Sequence, residues 1–323
     1  MCTRRSAKIV GVIALFLTLA ALGAGDHDRS LTIGGATRTY LVHLPPRFGE
    51  RDALPVVLAF HGGGGNGPGF KAYAGLDALA DREGFAVVYP DGSGRVGRRL
   101  LTWNAGGCCG YALAQNVDDV AFAVAVLRDL ARDVPLDPTR VYATGHSNGA
   151  MMAYRLAIEA SERLAAIAPV SGAMSALRFP PPRPVPVLHI HSVDDPRALY
   201  TGGLGPPFPG TNNRVTHRAV EPELRRWAAH DRCPGEPGTA DRRTAPGPAG
   251  GPNHTATLLV WAPCAEGAEV RLWKLTGAGH GWPGSRSPLA EKLMGPDTTV
   301  IDAAEEAWRF LSRFRRPAAP ALR

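Results

Sequence analysis

The chain has 323 residues, of which 45% are hydrophobic and 20% are charged, and its formal net charge is +7. This composition is typical of a globular protein with a large core, and it excludes an intrinsically disordered chain. The basic residues form no Lys/Arg run and no nucleic-acid-binding motif. We therefore interpret the charge as solvated surface and expect no nucleic-acid partner.

The N-terminal segment, residues 1–25, is predicted to be a signal peptide. Arg4, Arg5 and Lys8 form a positive cluster, and the apolar run from Ile9 to Leu22 follows it. The run is short for a membrane span, and small residues that suit a signal peptidase come after it. We expect a secreted protein, extracellular or periplasmic, whose mature chain has no membrane span.

Short apolar runs then alternate with helical patterns along the chain. This alternation predicts an α/β protein with a mainly parallel, doubly wound sheet and helices on both faces. We expect one catalytic domain over residues 26–316 and a disordered tail over residues 317–323. Residues 206–213 and 234–252 are rich in Pro and Gly and have no periodicity. The predicted strands are residues 31–33, 38–44, 56–60, 85–89, 140–144, 165–170, 187–191, 257–261 and 269–275, and the predicted helices are residues 70–83, 116–133, 150–160 and 302–314.

Residues 145–149, GHSNG, fit the pattern G-x-S-x-G between an apolar strand and a helix-forming run. This context is that of a nucleophile elbow, which presents a serine hydroxyl at the carboxyl end of a sheet. Ser147 is the predicted nucleophile. The amide of Asn148, at a helix N-terminus, is one predicted oxyanion donor. The glycine-rich loop after strand 56–60 is expected to supply the other, at Gly63, because it lacks the Gly-Lys-Ser/Thr ending of a phosphate-binding loop.

A serine nucleophile requires a base and an orienting acid, and both have candidates after the elbow. His280 lies between glycines in a loop after the last predicted strand, and we predict it to be the base. His189 and His191 alternate along a strand and are interpreted as core or rim groups. Asp194 and Asp195 follow that strand, and their positions alone do not decide between them. The order Ser, Asp, His is that of α/β-hydrolases.

Four cysteines, Cys108, Cys109, Cys233 and Cys264, remain after the signal peptide. An even number in an exported protein indicates two disulfides. A Cys233–Cys264 bond would close the Pro/Gly-rich segment 234–252, and the adjacent pair would then bond to each other or remain free thiols. No Cys/His spacing resembles a metal site, so we expect neither a metal nor a cofactor.

The chain resembles the secreted esterases of the poly(3-hydroxybutyrate) depolymerase/LpqC type, which border on the feruloyl and acetylxylan esterases. The resemblance covers nearly the whole mature chain and implies a serine esterase of the α/β-hydrolase fold. In the family motif H-G-T-A-D-P-R-V-P-Y, laid on His191 to Tyr200, the catalytic acid falls on Asp195, while Ser192 replaces the glycine. The motifs that carry the resemblance are residues 61–67, 103–110, 117–122, 145–154, 189–196 and 279–284.

We therefore predict a secreted serine esterase that cleaves short hydroxyalkanoate polyester or oligomer esters through an acyl-enzyme. The alternative is a feruloyl or acetylxylan esterase acting on plant cell-wall polysaccharide. A serine peptidase and a non-catalytic hydrolase-like binding protein are less favoured, since no gating domain is present and no triad member is missing. Trp103 and Trp282 are predicted to line the substrate-binding mouth, with core packing as the alternative.

Overall fold

The structure, a computed structural model, describes residues 22–46, 53–209, 211–248 and 251–316. Most of the predicted signal peptide and the whole predicted tail lie outside the described residues. Within the described ranges, no helix has the length and apolar character that crossing a membrane requires.

Strands and helices alternate along the chain. The strands are β1 (Gly25–Ile33), β2 (Ala36–Leu44), β3 (Leu54–Phe60), β4 (Ala86–Pro90), β5 (Leu136–His146), β6 (Ala166–Val170), β7 (Val187–Ser192), β8 (Gly203–Leu204), β9 (Thr216–His217), β10 (Gly238–Ala245), β11 (His254–Trp261) and β12 (Val270–Thr276). The helices are α1 (Gly67–Ala74), α2 (Leu76–Glu83), α3 (Gly110–Ala114), α4 (Asp119–Leu130), α5 (Asn148–Glu159), α6 (Val220–His230), α7 (Glu291–Met294) and α8 (Ala303–Leu311), with 3₁₀ turns at Ser161–Arg163 and Ala265–Gly267.

A ten-stranded sheet in the order β1-β2-β4-β3-β5-β6-β7-β12-β11-β10 organises these elements. From β4 to β12 in this order, neighbouring strands run parallel. Antiparallel strands extend both edges. In the register of β3 and β5, Phe60 pairs with Gly145, which places the loop after β3 beside the turn after β5.

The central strands are buried on both faces because helices cover each side of the sheet. In β3, Val56 and Leu58 face the core beneath α4, α5 and α6, whereas Val57 and Ala59 face the core beneath α1, α2 and α8. This accounts for the continuous apolar runs of the sequence, which are typical of parallel strands between two helical layers. The predicted doubly wound α/β sheet is confirmed.

Two local predictions are wrong. Residues 70–83 form two helices rather than one, because Gly75 adopts a left-handed conformation (φ 66°) between α1 and α2. Residues 234–252, predicted to be irregular, contain β10, which pairs with β11 at the sheet edge. The predicted hairpin at the start of the chain is confirmed as β1 and β2.

Candidate active site

Ser147 lies in a sharp turn between β5 and α5, with φ 56° and ψ −118°. Positive φ is unfavourable for a residue with a side chain and persists only where the surrounding structure enforces it. The space around the turn admits no side chain: a methyl group on Gly149 would overlap the carbonyl oxygen of Phe60, and one on Gly172 would overlap that of Ser147. The close-packed backbone therefore holds Ser147 in this conformation.

Two further predicted residues continue in a row from the Ser147 hydroxyl, His280 next to it and Asp195 beyond His280. Nε2 of His280, in the loop after β12, lies 2.9 Å from Ser147 Oγ. Its Nδ1 lies 2.7 Å from Oδ2 of Asp195, which follows β7. Because β5, β7 and β12 all run in the same direction, their carboxyl ends meet at one edge of the sheet. The structure thus brings Ser147, Asp195 and His280 together.

The loop that carries His280 is held at its backbone. The His280 amide donates to the carbonyl of Met294 (2.5 Å), and the Gly279 amide donates to that of Pro296 (2.7 Å). A Cβ on Gly279 would overlap the carbonyl oxygen of Met294 and the backbone of Gly295. The imidazole is therefore presented by a well-anchored segment.

The Asp195 carboxylate is buried, with 4% of the residue exposed, and both of its oxygens are satisfied. Oδ1 accepts hydrogen bonds from the amides of Arg197 (2.7 Å) and Ala198 (2.8 Å). Oδ2 is shared between His280 and His191, whose Nε2 lies 3.1 Å away. Burial alone would raise the pKa of Asp195, but the His280 imidazole and the hydrogen bonds from both histidines outweigh it and lower the pKa.

Asp194 has different surroundings, although it is adjacent in sequence. Its side chain is exposed, and Oδ2 accepts the amide of Gly277 at 2.6 Å. Ser192, which replaces the family's glycine, donates its hydroxyl to the carbonyl of Ala278 (2.6 Å) and accepts the amide of Asp194 (3.2 Å). These bonds join the loop after β7 to the loop after β12, and they leave Asp195 as the carboxylate that contacts the imidazole.

The two predicted oxyanion residues lie next to each other. A Cβ on Gly63 would be 3.6 Å from Cβ of Asn148. The amides of Gly64 and Gly65 donate to carbonyl groups, whereas that of Gly63 has no acceptor among the described residues. Asn148 begins α5, and amides in the first turn of a helix have no intrahelical acceptor. Both amides are therefore free to bind an oxyanion.

Trp103 and Trp282, predicted at the substrate-binding mouth, are 0% and 1% exposed. The indole of Trp103 donates from Nε1 to the carbonyl of His61 (2.9 Å), and that of Trp282 packs edge-on against Phe70 in the core. Neither ring offers a face to solvent. The structure places both rings in the core, which favours packing over the predicted contact with substrate.

The glycine-rich loop after β3 is supported by hydrogen bonds that the sequence did not predict. The Asn148 side chain accepts the amide of Trp103 (2.8 Å) and donates to its carbonyl (3.1 Å). His61 Nε2 accepts the amide of Gly92 (2.9 Å), and burial lowers the pKa of His61 to about 4. The loop is thus held at His61 by neutral hydrogen bonds from the Gly92 amide and the Trp103 indole, and the Asn148 side chain holds Trp103.

An apolar cluster adjoins Gly63, one of the two predicted oxyanion residues. Phe208 lies over Gly63, with its ring edge 3.5 Å from where a Cβ on that glycine would be. Its ring is half-buried, and no sequence pattern singled it out, because it lies in the irregular segment 206–213. The cluster consists of Ala105, Cys108, Cys109, Met151, Phe208 and Val215.

His146 is a second imidazole beside that of His280. Its ring centroid lies 4.8 Å from that of His280, and it is buried against the elbow. Burial, with a smaller contribution from His280, lowers the pKa of His146 well below its ordinary value. An uncharged His146 places no positive charge next to the imidazole of His280.

The four described cysteines form two disulfides, one between adjacent residues and one between residues far apart in the sequence. Cys233 and Cys264 form the predicted disulfide, and Cys108 and Cys109 are bonded to each other. The first bond ties the end of α6 to the turn between β11 and β12. The second lies in the apolar cluster beside the oxyanion residues.

Residues 38–221 match the protein-family model of the esterase PHB depolymerases. The chain belongs to this esterase family. Over 300 residues it is 31% identical to the putative esterase NocK of Nocardia uniformis subsp. tsuyamanensis, covering 88% of this chain and 81% of that protein. The predicted family is confirmed, and the chain is a carboxylic ester hydrolase.

Other relatives are larger proteins. The chain is 29% identical to the bifunctional acetylxylan esterase/xylanase XynS20E of Neocallimastix patriciarum and 26% identical to feruloyl esterase B of Piromyces equi. The alignments cover 76% and 75% of this chain but only 31% and 42% of those proteins.

Solved structures share the fold. The acetyl xylan esterase from Aspergillus awamori superposes with a TM-score of 0.53 at 14% identity, over 88% of this chain and 99% of that one. A thermostable esterase superposes with a TM-score of 0.54 at 15% identity, over 90% of this chain and 63% of that one. The fold is that of the α/β-hydrolases, as predicted.

Proposed function

We propose that the chain is an exported serine esterase in which Ser147 is the nucleophile, His280 the general base and Asp195 the orienting acid. The observation that carries the proposal is the continuous row of contacts, 2.9 Å from Ser147 Oγ to His280 Nε2 and 2.7 Å from Nδ1 to Asp195 Oδ2. Residues 26–316 act as one catalytic domain in this proposal, and the two cysteine bonds agree with an oxidising compartment.

The chemistry follows from the direction of these contacts. Because the Asp195 carboxylate accepts a hydrogen bond at Nδ1, the neutral imidazole of His280 presents an unprotonated Nε2 to the Ser147 hydroxyl. Nε2 takes the hydroxyl proton as Oγ attacks the ester carbonyl. It then returns this proton to the departing alkoxide oxygen, which leaves an acyl group on Ser147. A water molecule repeats the two steps and releases the acid.

Two electrostatic features stabilise the charges that form in this reaction. The amides of Gly63 and Asn148 donate to the tetrahedral oxyanion, and donors of this kind contribute about 3 to 4 kcal/mol each. The lowered pKa of Asp195 keeps its carboxylate ionised across the pH range of ester hydrolysis. A negative charge therefore faces the imidazolium when it forms.

For the substrate we propose short hydroxyalkanoate polyester or oligomer esters. The apolar cluster beside the oxyanion residues, with Phe208 over Gly63, supports a small apolar acyl group at this position. Feruloyl or acetylxylan esters of plant cell walls are the second candidate, since relatives that match three quarters of the chain carry those names.

The first experiment tests the catalytic roles. Ser147→Ala should reduce kcat on p-nitrophenyl butyrate by about 10⁴-fold or more, and adding His280→Ala should cost little further, because the residues act as one unit. Ser161→Ala is a matched control, since Ser161 is also buried and its hydrogen bonds, from Arg183 and the Leu164 amide, go to its backbone carbonyl rather than to its hydroxyl. Near wild-type activity in Ser147→Ala would exclude the proposal.

The second experiment tests the substrate class. We expect a higher kcat/KM for p-nitrophenyl butyrate and hydroxybutyrate oligomers than for p-nitrophenyl laurate, methyl ferulate or acetylated xylan. Phe208→Ala should change the discrimination between acyl groups by about 1 to 3 kcal/mol, as small differences in an apolar pocket do, and Phe208→Leu should change it less. Preference for laurate would refute a short acyl site, and preference for methyl ferulate or acetylated xylan would favour the second candidate.

A further inference from the structure

Hydrogen bonds continue from Asp195 into the protein core, away from His280. His191 Nε2 lies 3.1 Å from Asp195 Oδ2, and His191 Nδ1 lies 3.0 Å from His189 Nε2. His189 Nδ1 in turn lies 3.0 Å from the Tyr154 hydroxyl. Tyr154, His189 and His191 are 2%, 0% and 1% exposed. A row of buried polar groups thus runs from α5 across β7 to the carboxylate.

The acceptors around His191 determine where the hydrogens lie. Nε2 faces the Asp195 carboxylate and, at 2.8 Å, the carbonyl of Ala198. Both can only accept, so Nε2 carries a hydrogen. In a neutral imidazole Nδ1 must then accept, which requires a hydrogen on Nε2 of His189. Nδ1 of His189 accepts in turn, and the Tyr154 hydroxyl donates. All hydrogen bonds in the row point toward the carboxylate.

Such an arrangement is demanding for a protein core. An unpaired polar group there would cost several kcal/mol, whereas a fully satisfied row specifies a single arrangement of its members. Burial, aided by the neighbouring His191, lowers the pKa of His189 well below its ordinary value. Burial raises the pKa of Tyr154 well above its own. These two groups therefore remain uncharged.

We propose that Tyr154, His189 and His191 are positioning residues that hold the Asp195 carboxylate toward His280. The inference rests on the proposed function of Asp195 and His280. The backbone amides fix only Oδ1 of the carboxylate. His191 fixes Oδ2, the oxygen that contacts His280, and draws on part of its negative charge. No proton moves along the row. The row sets the orientation of the Asp195 carboxylate and the negative charge that its Oδ2 presents to His280.

Removing the His191 donor should have two effects. The carboxylate gains freedom to turn away from His280, which lowers kcat. At the same time more negative charge remains for His280, which favours the imidazolium and moves the acidic limb of the kcat/KM profile to higher pH. A purely structural role for His191 would change stability but not the position of this limb.

Other titratable or charged groups face the row and His280 from neighbouring elements. They remain the same in all variants, so a difference between variants reports the altered side chain. The groups are Tyr73, His146, Asp194, Arg197, Tyr200, His217, Glu223, Lys274 and Asp297.

The test compares pH profiles of kcat and kcat/KM on p-nitrophenyl butyrate. His191→Leu should lower kcat by about tenfold to a hundredfold, because a misplacement of about 1 Å at a reacting group has effects of this size. Its acidic limb should move to higher pH. His191→Gln, whose amide can occupy the Nε2 position and donate, should lose clearly less. Unchanged kcat and limb in His191→Leu, or equal losses in Leu and Gln, would overturn the proposal.

A second comparison does not depend on His191 variants folding. Tyr154→Phe and Tyr142→Phe each remove one buried hydroxyl, and that of Tyr142 donates to the carbonyl of Phe314, away from the row. Only Tyr154→Phe should shift the acidic limb; equal profiles would contradict the proposal. In ¹⁵N-histidine spectra of the wild type, His191 should be protonated at Nε2 alone, and protonation at Nδ1 would also contradict it. Ser147→Ala tests the proposed function separately.

Discussion

At the scale of single residues, two adjacent carboxylates have different surroundings. Asp195 is buried and accepts two amides and two imidazoles, whereas Asp194 is exposed and accepts one amide. A buried carboxylate with all acceptor sites filled has a fixed direction, which orienting an imidazole requires. Asp194 instead joins two loops through Gly277.

We predict that Asp195→Asn lowers kcat by about 10⁴-fold, because the amide can leave the imidazole in the wrong tautomer and adds no negative charge. Asp194→Asn keeps an oxygen for the Gly277 amide and should retain kcat within a few-fold. Steady-state kinetics of both variants on one ester decide the matter. The reverse ranking would assign the acid to Asp194.

Local sequence was sufficient for some residues of the site and insufficient for others. Ser147 and His280 were predictable because a strained turn and a glycine-flanked loop leave patterns in adjacent residues. His191 was interpreted as a core or rim group, and its contacts with Asp195 and His189 exist only in the folded strand and loop. The sequence predicts Trp103 at the substrate-binding mouth because it lies near the glycine-rich loop, but proximity in sequence does not reveal that the side chain is buried.

At the scale of elements, the central strands could be predicted from local sequence, whereas an edge strand could not. A strand such as β3, buried on both faces, appears in the sequence as an uninterrupted apolar run. β10 is polar and mostly exposed, and its conformation depends on pairing with β11, so no local period predicted it. The α1 start was predictable in principle, since the side chain of Asn66 caps it by accepting the amide of Gly69.

The end of α6 carries an unfavourable charge. Asp231 is its C-terminal cap, where the helix dipole disfavours an anion, and it is 0% exposed. Burial raises its pKa to about 6, although the hydrogen bond from His230 opposes the shift. Because the folded pKa exceeds the unfolded one, the unfolded chain releases the proton first. Stability therefore falls as pH rises from about 4 to about 6.

We predict that Asp231→Asn stabilises the protein at pH 7 by up to about 3 kcal/mol, the free energy equivalent of this pKa difference. At pH 4 the gain should fall below about 1 kcal/mol, since the carboxyl is then protonated in the folded state and about half protonated in the unfolded state. Urea unfolding of both proteins at pH 4, 5, 6 and 7 measures the difference. Glu236→Gln, at an exposed acid, is the control. A gain independent of pH would disprove the assignment.

At the scale of the whole molecule, the candidate site lies at the carboxyl ends of the parallel strands, and the Cys233–Cys264 disulfide lies at their amino ends. Ser147, Asp195 and His280 follow the carboxyl ends of β5, β7 and β12, and only the complete sheet brings these ends together. Cys264 lies in the turn that precedes β12, at its amino end. A change at the disulfide can therefore lower the stability of the molecule without changing the geometry of the candidate site.

This separation yields a prediction for the Cys233–Cys264 bond, which closes a loop with a sequence separation of 31. Replacing both residues with serine should lower the free energy of unfolding by about 3 to 4 kcal/mol, because the unfolded chain regains the entropy that the closed loop removes. The folded double variant should keep its kcat at 25 °C, since the bond lies across the sheet from Ser147. Denaturant unfolding and ester kinetics on the same samples measure both quantities. A large loss of kcat with an unchanged free energy of unfolding would show that the bond supports the site directly rather than the fold.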